Sequence, residues 1–95
     1  MYAITFDIDT NCLSELYPQE KYNNAYREVR RFLEANGFEW CQGSVYFGNE
    51  TINAVRCVKV AQKLCKTFSW FETCVKDMRM LRIEENNDLL EAVRD

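Results

Sequence analysis

The opening run MYAITFDIDT alternates with the period of a β-strand and closes on two aspartates. Successive side chains of a strand point to opposite faces. Ile4, Phe6 and Ile8 therefore share one face, and Ala3, Thr5, Asp7 and Asp9 share the other. One face is suited to a core, while the other delivers two carboxylates to the point where a strand gives way to a loop.

Residues 11–18 read as a loop or short irregular turn, with Pro18 placed to precede or start a helix. The helix is expected to run to about Asn36. Its apolar positions Tyr22, Ala25, Tyr26, Val29, Phe32 and Leu33 recur at three- and four-residue steps, and Gly37 supplies a left-handed stop. FEWCQGSVYFG, residues 38–48, has the composition of a tight hairpin, with a strand on either side of Gly43. Asn49 or Thr51 can cap a second helix that lasts to about Thr67. It is expected to bury Ala54, Cys57, Val58, Ala61, Leu64, Cys65 and finally Phe68. Residues 75–83 read as a last strand, and residues 87–93 as a short terminal helix or tail that docks Leu89, Leu90 and Val93.

The order strand, helix, strand, strand, helix, strand is the split βαβ pattern of a ferredoxin-like α+β sandwich. No repeat, linker or low-complexity segment interrupts it, so residues 1–95 are read as a single domain. In that topology the first and third strands lie side by side, and the last strand pairs antiparallel with the first. Asp7 then falls beside Lys76 and Asp77. The last strand is less tidy than the first, because Leu81 and Ile83 share parity with Asp77 and Arg79. Either a bulge resolves this, or both sheet faces are buried and the uncovered one meets a second copy in a homodimer.

Composition narrows the chemistry. Histidine is absent, which removes the usual general acid/base and the commonest transition-metal ligand together. Catalysis must then rest on carboxylates, Lys, Arg, Tyr, Ser, a metal ion or groups of the substrate. The five cysteines, Cys12, Cys41, Cys57, Cys65 and Cys74, are odd in number and without CxxC spacing. They read as buried or half-buried thiols rather than disulfides or metal ligands. No basic N-terminal region or long apolar span suggests export or a membrane, so a cytoplasmic protein is expected.

Asp7, Asp9 and Asp77 can converge, and carboxylates held close either raise each other's pKa or recruit a divalent cation, usually magnesium. Asp7 is the first choice as a metal ligand. A metal so placed would polarise a phosphate or activate water. The same residues also suit ordinary turn chemistry. Ser44, Lys76 and Arg79 add groups that bind phosphate or stabilise developing negative charge. The net charge is −3, yet every charge from Arg56 to Lys66 is positive. Arg56, Lys59, Lys63 and Lys66 form a helical stripe that suits either an RNA backbone or plain solvent.

MYAITFDIDT, YNNAYREVRRFLEANGFEWCQGSVYFG and WFETCVKDMRMLRIEE together resemble the virulence-associated protein D (VapD) family over nearly the entire chain. That family in turn resembles the small nuclease-like subunit of CRISPR spacer acquisition. The resemblance implies a ferredoxin-like homodimer with endoribonuclease activity, in some members the toxin of a toxin–antitoxin pair with an antitoxin protein as partner. It places the strand-end aspartate on Asp7 and the acidic position of VKDMR on Asp77, with Asp9, Ser44, Lys76 and Arg79 in support. The competing class is a non-catalytic dimer that grips nucleic acid or a partner protein, since fold does not fix function.

Overall fold

A computed structural model describes residues 1–18 and 22–94. The elements run β1 (Tyr2–Ile8), α1 (Thr10–Leu16), α2 (Asn23–Ala35), β2 (Phe38–Gln42), β3 (Val45–Gly48), α3 (Ala54–Thr67), α4 (Ser69–Cys74), β4 (Val75–Arg82) and α5 (Leu90–Val93). The four strands form one antiparallel sheet in the order β2-β3-β1-β4. This is the ferredoxin-like arrangement that the element order predicts.

Strand parity sorts the two faces as expected. Ile4, Phe6 and Ile8 are buried with Tyr46 of β3 against Val29 and Leu33 of α2 and Cys57 and Leu64 of α3. Asp7 is exposed on the opposite side. Gly37 follows α2 with φ +92°, a left-handed conformation that glycine alone adopts freely. Its carbonyl accepts the Asn49 N–H at 2.9 Å, which ties the end of α2 to the end of β3.

Several expectations are corrected. The segment read as a loop after β1 is mostly the helix α1, because the Asp9 carboxylate accepts the N–H groups of Asn11 and Cys12 at 2.9 and 3.2 Å and so starts it. The expected start of the next helix falls partly on residues 19–21, outside the described residues; α2 begins at Asn23, and Pro18 lies in neither helix. Asn53, not Asn49 or Thr51, caps α3 by accepting the Arg56 N–H at 2.8 Å. Asn49 is already engaged with Thr51. Cys57, Val60 and Leu64 of α3 are buried, whereas Val58, expected in the core, is 46% exposed because it lies outside their three- and four-residue spacing. The short helix α4 precedes β4 and was not foreseen. Finally, α5 forms, but Leu89, Leu90 and Val93 remain exposed rather than docked.

The cysteine reading fails for three of five residues. Cys12 and Cys74 are joined in a disulfide across a sequence separation of 62, and Cys41 is an exposed thiol; Cys57 and Cys65 are buried and half-buried as expected. The bridge is invisible in the spacing because only the antiparallel pairing of β1 with β4 brings α1 and α4 together. In the chain-entropy account, a closure of that length stabilises the fold by up to about 4 kcal/mol.

An aromatic cluster joins α1 to α4. The Tyr17 ring packs edge-on to Trp70 at 5.1 Å, and its hydroxyl donates to Glu28 Oε2 at 2.8 Å. Burial, then the hydrogen bond and charge of Glu28, push the phenol up to about 12. Folding thus favours the neutral phenol. The stabilisation is complete below the ordinary value of 10.0 and drains away as pH rises from there towards about 12. Thermal melts across that window should show a steep alkaline loss that is shallower in Tyr17→Phe. Identical slopes would contradict the assignment.

Candidate active site

The antiparallel register of β1 and β4 sets Asp7 directly opposite Asp77 and Thr5 opposite Arg79. Directly opposed residues share a sheet face, so two carboxylates stand side by side on the face away from the helices. Like charges in this relation destabilise a sheet. The end of a purely structural sheet would avoid the arrangement.

The ladder breaks just beyond. Asp7 pairs with Asp77 but Ile8 pairs with Val75, which leaves Lys76 as an extra residue on β4. Simple alternation would send Lys76 to the face opposite Asp77. A bulge re-aims such a side chain, and the Lys76 ammonium lies 3.7 Å from Asp7 Oδ2. On the same strand Arg79 Nε donates to both oxygens of Asp77 at 3.2 Å. Two adjacent anions are thus flanked by two cations in one exposed cluster.

All four side chains are well exposed, from 47% for Asp77 to 69% for Arg79. Ion pairs this wet are worth under about 1 kcal/mol. Little holds Lys76 and Arg79 to their carboxylates, so both can turn to a phosphate that enters.

The remaining candidates separate. Asp9 lies past the strand end, where one carboxylate oxygen is committed to the backbone of α1, so it acts as a cap. Ser44 lies at the hairpin, its carbonyl accepting the Phe6 N–H at 3.2 Å. It lines a hollow with Tyr26, Arg30 and Tyr46 on the helix-covered side, away from Asp77. Burial, with lesser contributions from Tyr22 and Asp7, raises the Tyr26 phenol. Arg56, Lys59 and Lys63 line one shallow hollow on α3, whereas Lys66 lies on a different groove with Val58, Ala61, Cys65 and the Met78 and Met80 edge of β4. The four-residue stripe is therefore a cluster of three cations, on the helix layer rather than on the carboxylate face.

Among the described residues no group of three or more Cys, Asp or Glu converges as a metal cage. Asp7 and Asp77 supply two carboxylates, which is the donor set magnesium uses when substrate phosphates and water complete its shell. Sequence reasoning allows a bulge in the last strand but does not place it at Lys76, and it misses the bridge; no local signal marks either. The Asp9 cap did have one, since aspartate ahead of a helix-forming run is a favoured N-cap.

The ferredoxin-like sheet is accompanied by a family match: residues 1–89 match the family model of CRISPR associated protein Cas2. The chain belongs to that family, and the curated relatives it matches carry the VapD name. It is 61% identical over 93 residues to "Endoribonuclease VapD 2" of Riemerella anatipestifer, covering 98% of this chain and 99% of that protein. It is 56% identical over 94 residues to "Endoribonuclease VapD homolog" of Helicobacter pylori, covering 99% and 97% of the two chains. An "Endoribonuclease VapD" of Dichelobacter nodosus matches at 39% over 94 residues, 99% of this chain and 98% of that one.

Proposed function

We propose that this chain is an endoribonuclease whose chemistry is centred on Asp7, with Asp77 beside it and Lys76 and Arg79 as phosphate contacts. One observation carries the reading: two carboxylates stand directly opposed across β1 and β4 with a cation beside each, in a chain that matches relatives named endoribonucleases over nearly its whole length.

Asp7 suits the role of the base that takes a proton from the nucleophile. Lys76 and Arg79 each lie beside one of the paired carboxylates and would stabilise charge as it builds on the phosphoryl oxygens. A divalent cation, where used, would be held by Asp7 and Asp77 and would polarise the phosphate or acidify water. With histidine absent, the carboxylates do work that imidazoles do in other ribonucleases. Analysis of product ends identifies the nucleophile. A 2′,3′-cyclic phosphate reports attack by the neighbouring ribose hydroxyl, and a 5′-phosphate beside a 3′-hydroxyl reports attack by water. Intact RNA after prolonged incubation with folded protein, magnesium present or absent, would leave only the binding-module reading.

The open sheet face supports a homodimer. Met78 and Met80 face the helices, yet Leu81 on the other side of β4 is 43% exposed and Phe47 opposite Ala3 is half-buried. The β4 pairing is regular from Asp77 to Arg82, so no bulge turns Leu81 inward. A second copy on this face would cover these apolar groups and place two Asp7–Asp77 clusters along a shared cleft. Sedimentation should find a dimer at micromolar concentration. A strictly monomeric species would remove this part of the proposal.

A further inference from the structure

We propose that the Cys12–Cys74 bridge is a redox-responsive clamp that positions the Asp7 and Asp77 cluster, closed when oxidised and released by a protein dithiol. The inference rests on the endoribonuclease reading for its effect on rate, but not for the clamp itself.

The placement carries it. Cys12 lies in the first turn of α1, where its N–H is held by the Asp9 carboxylate at 3.2 Å. Cys74 ends α4 and directly precedes Val75, the bulged Lys76 and Asp77. The Cα atoms of the two cysteines are 5.4 Å apart. The Asp9 N–H donates to the Cys74 carbonyl at 2.9 Å. One covalent link and one backbone hydrogen bond therefore join the strand ends just past the point where the ladder loses register between Asp7 and Ile8. The ladder pairs Asp7 with Asp77 and Ile8 with Val75 but leaves Lys76 unpaired between them, so the bridge, one residue before Val75, steadies this end of the pairing and the placement of Lys76 beside Asp7.

The remaining cysteines do not compete. Cys57 and Cys65 lie on α3, where burial pushes both thiols up and keeps them protonated, and Cys41 lies on β2 at the far edge of the sheet. The RNA that such an enzyme cuts is found in compartments where thiols are kept reduced, and a bridge met there is more often transient or sensing than structural.

The chemistry balances with a dithiol. Cys12 is half-buried whereas Cys74 is 2% exposed, so an incoming thiolate attacks the Cys12 sulfur. The Cys12–Cys74 bond breaks, and Cys74 leaves as a thiolate that takes up a proton. The second thiol of the reductant then attacks its own sulfur in the mixed disulfide and frees Cys12 as a thiol. Two electrons and two protons pass to the protein, and the dithiol ends as a disulfide. An oxidised dithiol protein reverses each step.

The test uses the full chain in both redox forms. Alkylation under denaturing conditions should label three thiols before treatment with dithiothreitol and five after it. Hydrogen exchange should quicken on reduction at Asp9, Cys12 and residues 75–77 and stay unchanged at Leu33 and Leu64. Cleavage should fall about tenfold or more on reduction, in kcat rather than KM, as displacement of reacting groups does. Cys12→Ser should match the reduced wild type and ignore dithiothreitol; where it fails to fold, the wild-type pair alone decides. Five labelled thiols before reduction, or equal exchange in both forms, overturns the clamp. Altered exchange with equal cleavage rates overturns its positioning role. Altered exchange with no cleavage in either form leaves the clamp standing and removes the nuclease reading.

Discussion

Asp7→Asn is expected to lower RNA cleavage by about 10²- to 10⁴-fold, the range lost when a positioned general base is removed. The substitution is nearly isosteric, and the Asp7 side chain is 66% exposed. Surface changes of this kind stay within about 0.5 kcal/mol. Stability should hold or rise slightly, because one of two opposed like charges is gone and only a wet pair with Lys76 is lost. RNA affinity should persist, since Lys76, Arg79 and the Arg56, Lys59 and Lys63 cluster remain. The control is Lys59→Glu combined with Lys63→Glu. It should weaken binding and flatten its salt dependence while saturated turnover stays near wild type. A mutant that unfolds would spoil the comparison, so a thermal melt accompanies each rate. Equal rates for Asp7→Asn and wild type would remove Asp7 from the mechanism, and an unchanged salt slope would return the α3 cations to solvent.

That Asp7 falls beside the Lys76 and Asp77 end of the last strand could be foreseen from parity and element order, whereas the exact register that opposes Asp7 to Asp77 comes from the sheet itself. A strand alternating from Ile4 to Ile8 has one core face, and the split βαβ order allows few neighbours for it. What could not be foreseen depends on contacts between distant segments. Lys76 reaches Asp7 only through a bulge, and nothing in VKDMR distinguishes a bulged lysine from an alternating one. On α3 the core side is Cys57, Val60 and Leu64 at three- and four-residue steps, and Val58 lies outside that spacing despite its apolar side chain. Cys12 and Cys74 are apolar-flanked like the free thiols, and only the packing of α1 on α4 makes them partners. Asp9 was read as Asp7's companion by parity, yet parity ends where the strand does, and its carboxylate then serves the helix.

Removing Phe71 should cost more stability than most single changes, although it sits on the helix that periodicity did not reveal. The ring is 0% exposed and meets Phe6 edge-on at 5.4 Å and Trp70 at 6.4 Å. Phe→Ala at a site without solvent loses the transfer energy of the ring and leaves a cavity, about 3–5 kcal/mol together. For a domain of this size, that lowers the melting temperature by upward of about 12 °C. Urea titration should show a lower midpoint with an unchanged slope. A loss below about 1 kcal/mol would mean that α4 is not packed as described. Activity separates scaffold from chemistry. Phe6 points inward to Phe71 while Asp7, the next residue, points outward to Asp77, so Phe71→Ala measured well below its melting point should keep most of its turnover per folded molecule. The two variants then exchange signatures: Asp7→Asn loses rate and keeps stability, and Phe71→Ala loses stability and keeps rate.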